Sequence, residues 1–265
     1  MGDRRTEESL EKGTMKVCVM RAPGTNCDEE TKLALEASGL KAEIVHVNML
    51  DSRPVYEAMV VPGGFSYGDH IRAGSVLAKK TERILYAYAD AGRPILGICN
   101  GFQVLVEAGL LPGWERGCPQ VALGTNDSAR YECRWVYLRL EKSKNIFTAG
   151  LEEGKVLHLP VAHSEGKFLL RSREDFERLV RRGQLVFRYS DREGRIAGGK
   201  YPLNPNGSQF DIAGICDSTG TIFGLMPHPE RAYWGWQLVG WEEGREVGDG
   251  KIIFDALASF LRGKI

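Results

Sequence analysis

The chain has 265 residues, is 43% hydrophobic, and carries 35 basic and 35 acidic side chains for a formal net charge of zero. That length holds one large domain or two small ones around a sizeable core, and the charge balance offers nothing to nucleic acid or to an anionic membrane. No apolar run approaches the ~20 residues that span a bilayer. The six cysteines form no C-x-x-C pair and stand at no zinc-finger spacing from histidine, so no metal is expected and a reducing, cytoplasmic setting is.

Residues 1–14 are charged and lack the apolar stretch of a secretory signal. They read as a disordered tail before a single domain, 15–265. Met15–Met20 reads as a first strand, followed by a loop to Asn26. Asn26, with Glu29 three residues on, resembles a capping box. Leu33, Ala34 and Ala37 supply an apolar helix face, and Gly39 a stop. Ala42–Val47 and Ala58–Val61 read as the next strands, the latter running into Pro62-Gly63-Gly64. Asp69 reads as an N-cap for a segment starting near Ile71. Ala73–Ala91 has helical spacing, with Leu77, Ile84, Leu85 and Tyr88 on one side and Gly92 after it. Ile95–Cys99 is a fourth strand and Phe102–Ala108 a helix.

This alternation predicts an α/β fold with a doubly wound, mainly parallel sheet, whose ligands sit beyond the carboxyl ends of the strands. After Leu111 the texture changes. Val136–Leu140, Val156–Val161 and Leu185–Tyr189 are strand-like, and Ile212–Cys216 with Thr221–Met226 read as a hairpin, so an antiparallel addition is expected in the C-terminal half. Arg171–Arg182 is dense in charge and reads as a solvated helix, Tyr201–Gly207 as a loop, and Ile252–Leu261 as a closing helix.

The chemistry concentrates at Gly97-Ile-Cys99-Asn-Gly101. Small residues on both sides of a cysteine, between a strand and a helix, have the pattern of a nucleophile elbow. The thiol then meets a helix N-terminus, which favours thiolate. A thiol of pKa about 8.5 is only a few per cent ionised at neutral pH, so Cys99 needs a base. Of the five histidines, His228 has the best setting, in Met226-Pro-His-Pro-Glu230. Prolines hold this segment extended, and residues two apart then face the same way, which puts Glu230 beside His228 as its orienter. An exposed proline-rich turn fits the spacing equally well.

Gly97-Ile-Cys-Asn-Gly-Phe-Gln103 with the distant His228-Pro-Glu230 resembles the class I, triad-type glutamine amidotransferases. Ala22–Asp28, Pro62–Asp69, Asn126–Arg130, Ala162–Gly166, Asn204–Ser208 and Met226–Arg231 extend the likeness to the glutaminase subunits of phosphoribosylformylglycinamidine synthase, from about Met15 to the C-terminus. The charged 166–200 stretch and the tryptophans at 234, 236 and 241 fall outside that pattern.

The resemblance implies a flavodoxin-like fold, L-glutamine as substrate, Cys99 as nucleophile, His228 as base and Glu230 as orienter. It implies an oxyanion hole from Gly63, Gly64 and Phe65 with the Asn100 N–H, and glutamine contacts from Gln103, Asn126, Ser128, Arg130, His163 and Ser164. It also implies a large synthetase partner carrying ATP and Mg2+, with a small third subunit as a further candidate. No cofactor is expected in this chain, which has no G-x-x-x-x-G-K-[ST] loop. Other glutaminase subunits, and a chaperone-like protein on a related elbow fold, remain alternatives. Tyr233–Trp241 reads as a docking surface, with packed core as the other reading.

Overall fold

A computed structural model describes residues 15–241 and 243–264; the expected tail at 1–14 lies outside them. Strand β1 (Lys16–Arg21) leads through helix α1 (Asp28–Ala37) to β2 (Lys41–His46). Then β3 (Ala58–Val61), α2 (Ser75–Asp90), β4 (Ile95–Ile98) and α3 (Asn100–Glu107) follow. The C-terminal half contains β5 (Ala122–Thr125), β6 (Glu132–Leu140), β7 (Val156–His163), β8 (Glu165–Leu169), α4 (Arg173–Arg181), β9 (Leu185–Ser190), β10 (Ile212–Cys216), β11 (Ile222–Leu225) and α5 (Lys251–Leu261).

Nine strands form one sheet in the order β2-β1-β3-β4-β11-β10-β9-β6-β7, and β5 with β8 form a small antiparallel ribbon. From β2 to β11 all pairings are parallel; from β11 to β7 all are antiparallel. The expected parallel sheet with its antiparallel addition is therefore one continuous surface, joined at β11. The central strands β3, β4 and β11 are buried at every residue, because right-handed crossovers lay helices on both faces. α1 packs with α5, and α2 with α3. Phe102 of α3 lies over Gly224 of β11 and stacks on Phe168 of β8 with ring centroids 6.1 Å apart. That contact ties the nucleophile helix to the C-terminal half.

Three expectations change. Asn26 is not the cap of α1; Cys27 takes that position without a side-chain cap bond. The buried face of α1 is Thr31, Ala34 and Leu35, while Leu33 is 55% exposed. At 100° per residue Leu33 and Ala37 share the opposite side. Asp69 does not cap a helix, since α2 starts only at Ser75, after Gly74. Tyr201–Gly207 contains no helix or strand, yet Asn204 and Asn206 are buried. Asn206 Nδ2 donates to the Gly166 carbonyl (2.8 Å), and Ser208 Oγ accepts from Phe168 N (2.9 Å). This segment therefore holds β8 in place. The charged stretch is α4, capped by Ser172 Oγ, with Leu179 its buried residue. Among the described residues no helix is long and apolar enough to cross a membrane.

A Cβ on Gly101 would overlap the Val61 carbonyl, so Gly101→Ala must push α3 off β3. Urea denaturation of this variant is expected to show a loss of about 1–3 kcal/mol.

Candidate active site

β4 delivers the chain into a one-residue turn. Cys99 has φ 51 and ψ −105 and stands as the N-cap of α3. Left-handed backbone at a non-glycine residue is strained and persists only where its surroundings enforce it. Here Gly97 and Gly101 enforce it: a Cβ at either would strike backbone, Gly101's carbonyl or Val61's. The thiol is 4% exposed, and Sγ lies 3.7 Å from the Ala162 carbonyl at the end of β7.

His228 follows β11, and its N–H donates to the Pro160 carbonyl of β7 (2.8 Å). Its Nδ1 is 2.6 Å from Glu230 Oε1, with both side chains buried. Glu230 occupies a 3₁₀ turn, Pro229–Ala232, so a turn rather than an extended strand brings the pair together. Burial alone would lower the His228 pKa; the Glu230 carboxylate, then Cys99 and Cys27, overcome it and hold the pKa well above 6.5. Nε2 has no hydrogen-bond partner among the described residues and is left for chemistry. Cysteine, imidazole and carboxylate thus occupy nucleophile, base and orienter positions.

Of the expected anion donors, Phe65 N–H is already spent on the Gly24 carbonyl at 2.8 Å, so the Phe65 assignment fails. Its ring instead lines the cavity beside Cys99. Gly63 O accepts from Asn26 N and Cys27 N, which turns the Gly64 peptide away from that loop. Gly64 N–H is left without a backbone acceptor among the described residues. The Asn100 N–H, at the first position of α3, has no acceptor within the helix.

The Asn100 and Gln103 side chains form a brace. Asn100 Oδ1 accepts from Ser66 N (3.2 Å), its Nδ2 donates to Gln103 Oε1 (2.8 Å), and Gln103 Nε2 donates to the Glu165 carbonyl (2.6 Å). Gln103, His163 and Ser164 border the cavity of about 40 Å³ that Cys99 lines.

Asn126 is not a substrate contact. Its amide is consumed by the His163 and Arg130 carbonyls (2.8 and 3.0 Å), by Gly166 N and by His163 Nδ1 (both 3.1 Å). Ser128 Oγ donates to Glu132 Oε1 (2.7 Å), and Arg130 is exposed; neither borders the cavity. Because Asn126 Nδ2 faces two carbonyls, Oδ1 is the acceptor and His163 Nδ1 carries the proton. Burial, then the nearby His228, press the His163 pKa down to about 3.

Three contributors were not anticipated. Cys27 lies behind the catalytic ring, with Sγ 3.9 Å from His228 Nδ1. It donates to Asn26 Oδ1 (3.0 Å) and accepts from Arg231 Nη2 (3.2 Å), and burial pushes its pKa up to about 11. Its place after the first strand of a parallel sheet was the available signal. Asp69 and Glu165 also border the cavity.

Cys27, His228 and Glu230 place ligand atoms within 4.8 Å of one another. The 2.6 Å Nδ1–Oε1 separation is that of a shared proton; two ligands of a tetrahedral zinc stand about 3.3 Å apart. A larger cavity, about 270 Å³ and bordered by Tyr86, Asp90, Arg116, Asp217 and Thr219, presents neither thiol nor imidazole.

A cysteine elbow facing a histidine–glutamate pair on this sheet defines a triad amidotransferase. Residues 14–261 match the family model described as a CobB/CobQ-like glutamine amidotransferase domain, and the chain belongs to that family. It is 46% identical to the phosphoribosylformylglycinamidine synthase subunit PurQ of Archaeoglobus fulgidus, over 95% of this chain and 99% of that one. It is 44% identical to the PurQ subunit of Pyrococcus furiosus, over 90% and 97%. A chain in the solved structure of PurLQS from Thermotoga maritima superposes with a TM-score of 0.73 at 34% identity, covering 94% of this chain and 99% of that one.

Replacing Glu230 by Gln removes the largest force raising the His228 pKa, so that pKa falls. Ring titration by NMR should show the drop. The alkaline limb of the rate profile should move to lower pH, with kcat reduced roughly 10²–10⁴-fold. Iodoacetamide at neutral pH should label Cys99 and leave Cys27 unmodified until the chain unfolds, read by peptide mass mapping.

Proposed function

We infer that this chain is the glutaminase subunit of phosphoribosylformylglycinamidine synthase, supplying ammonia for purine biosynthesis. The observation that carries the reading is the buried His228–Glu230 pair, 2.6 Å apart, facing an elbow cysteine in a chain 46% identical to a PurQ subunit over nearly its whole length.

In the mechanism this supports, the Cys99 thiolate attacks the side-chain amide carbon of L-glutamine. The oxyanion forms against the Gly64 and Asn100 N–H groups, each such donor being worth roughly 3–4 kcal/mol. The imidazolium of His228 gives its proton to the departing nitrogen, the C–N bond breaks, and ammonia leaves a glutamyl thioester. Water then attacks, His228 takes its proton, and glutamate and the thiol are released. Glu230 holds the ring by Nδ1 and stabilises its charged form.

Ammonia released into water is protonated and loses its nucleophilicity, so the reading requires a synthetase that receives it directly. ATP and Mg2+ belong to that partner, in a cytoplasmic complex that also has room for a third, smaller subunit. Trp236 and Trp241, 64% and 45% exposed, lie a few residues beyond Glu230 on the same stretch of chain. They are the docking surface this reading favours.

The test is Cys99→Ala in the complex, assayed with formylglycinamide ribonucleotide and ATP. Glutamine-dependent synthesis should vanish while ammonia-dependent synthesis persists. Retained glutamine-dependent synthesis would remove Cys99 from the mechanism.

A further inference from the structure

The carboxylate that orients His228 is itself weakly anchored. Among the described residues Glu230 Oε1 bonds His228 Nδ1 alone, and the buried Oε2 has no partner. With no other side chain steering it, the Glu230 carboxylate is placed by the backbone of its 3₁₀ turn, Pro229–Ala232. His228 is held from elsewhere, by its N–H on the Pro160 carbonyl. The reach between carboxylate and imidazole therefore depends on what fixes that turn.

Two sets of contacts fix it. On one side the Gly248 N–H donates to the Tyr233 carbonyl (2.9 Å) and the Gly250 N–H to the Ala232 carbonyl (2.8 Å), but neither bond reaches Glu230. On the other side stands Gln237. Were the turn to continue, the Tyr233 N–H would donate to the Glu230 carbonyl three residues back. The Gln237 amide is inserted between these two groups. Its Oε1 accepts from the Tyr233 N–H (2.8 Å) and the Trp234 N–H (2.9 Å), and its Nε2 donates to the Glu230 carbonyl (3.1 Å). That carbonyl has no other donor among the described residues. Glu230 is fully buried, so without Gln237 a buried acceptor is left unpaired. Gln237 ends the short turn Gly235–Gln237, whose Trp236 is exposed; the orienter is held from this surface segment rather than from the sheet.

We propose that Gln237 is a positioning residue for the reaction: by donating to the Glu230 carbonyl it keeps the carboxylate within hydrogen-bond reach of the His228 ring. This rests on the glutaminase reading above and goes beyond it, to a side chain that does not border the cavity. The groups that face the ring are Glu230 on its own turn, Cys27 before α1, Cys99 at the elbow and His163 at the end of β7. Gln237 hydrogen-bonds with backbone alone, so it acts on the ring by way of Glu230. The scale of its effect is that of one neutral hydrogen bond, about 3- to 10-fold in rate.

The experiment replaces Gln237 by Met, which keeps the side chain's length and removes its hydrogen-bonding groups. In the complex with the synthetase partner, kcat for ammonia release from L-glutamine should fall about 3- to 10-fold, with KM unchanged to within about 2-fold. NMR titration of the full chain should show the His228 pKa lower than in wild type, because a carboxylate that retreats stabilises the imidazolium less. In a Glu230→Gln background the same replacement should alter kcat by less than about 2-fold, since the carboxylate it positions is already gone. An equal loss in both backgrounds, an unmoved His228 titration, or a loss carried by KM is what a merely structural role produces, and each overturns the proposal. Gln237→Glu keeps the acceptor for the Tyr233 and Trp234 N–H groups and loses the donor to Glu230. It should lose kcat to a similar extent, and it carries the test if the Met variant does not fold; wild-type kcat in Gln237→Glu overturns the proposal. If the wild-type complex releases no ammonia from L-glutamine, the glutaminase reading falls, while the His228 titration in Gln237→Met still decides the positioning role.

Discussion

The α-carbon of Gly101 and the carbonyl of Val61 approach so closely that no side chain fits between them. This contact seats α3 on the ends of β3 and β4, and the chain must then turn from strand to helix within a single residue. Cys99 takes that turn with φ 51. The strain, of order 1–3 kcal/mol for such a backbone state, is met by packing that is tight on every side, from Gly97 to the Phe102 ring over Gly224. The same approach brings Pro62–Gly64, at the end of β3, alongside the thiol. The placement of the Cys99 thiol and that of the Gly64 N–H are thus two consequences of one steric constraint.

The remaining groups arrive from the other half of the sheet. β11 pairs parallel to β4 and antiparallel to β10, so it is the seam between two architectures. His228 leaves β11 and is pinned to β7 through the Pro160 carbonyl, and β7 also contributes Ala162 and His163. The antiparallel half therefore supplies the anchor for the His228 imidazole and one wall of the cavity, while the parallel half supplies the thiol and the other. A reaction that needs a thiolate beside an imidazolium gains from this division: relative motion of the two groups would require the central sheet to deform, and a close-packed core resists that.

Much of this was legible in the residues. The strand–helix alternation up to Leu111, the hairpin around Asp217–Gly220 and the elbow rest on local patterns that tertiary contacts reinforce. Burial of both faces produces apolar runs in β3 and β4, and helix geometry leaves Leu77, Ile84, Leu85 and Tyr88 on one side of α2. What was not legible depended on contacts between distant segments. The face of α1 was misjudged because two alanines, one leucine on each side and a threonine leave the apolar stripe ambiguous; only packing on β1 and β2 decides for Thr31, Ala34 and Leu35. β5 and β8 are short, and each exists because the other pairs with it. Asn126 looks like a ligand in sequence because a buried amide and a binding amide have the same letter; its four bonds to backbone and imidazole are visible only once β7 and β8 are placed.

Two thiols share one imidazole in this site, and their environments set them apart. Cys27 and Cys99 each stand at the amino end of a helix, α1 and α3, and each neighbours His228. The first turn of α1 carries Asp28, Glu29 and Glu30, whereas the first turn of α3 carries no acid. Arg21 pairs with Asp28 and Glu29, and Arg231 pairs with Glu30 while also donating to Cys27 Sγ. Cys27 also donates its proton to Asn26 Oδ1, and burial holds its pKa near 11. It stays a neutral thiol whose sulfur fills the space between Gly63, Arg231 and the back of the His228 ring. The division of labour follows first from burial, which outweighs His228 and Arg231 and keeps the Cys27 thiol protonated: Cys27 packs against the His228 ring, and Cys99 is left to react with what enters the cavity.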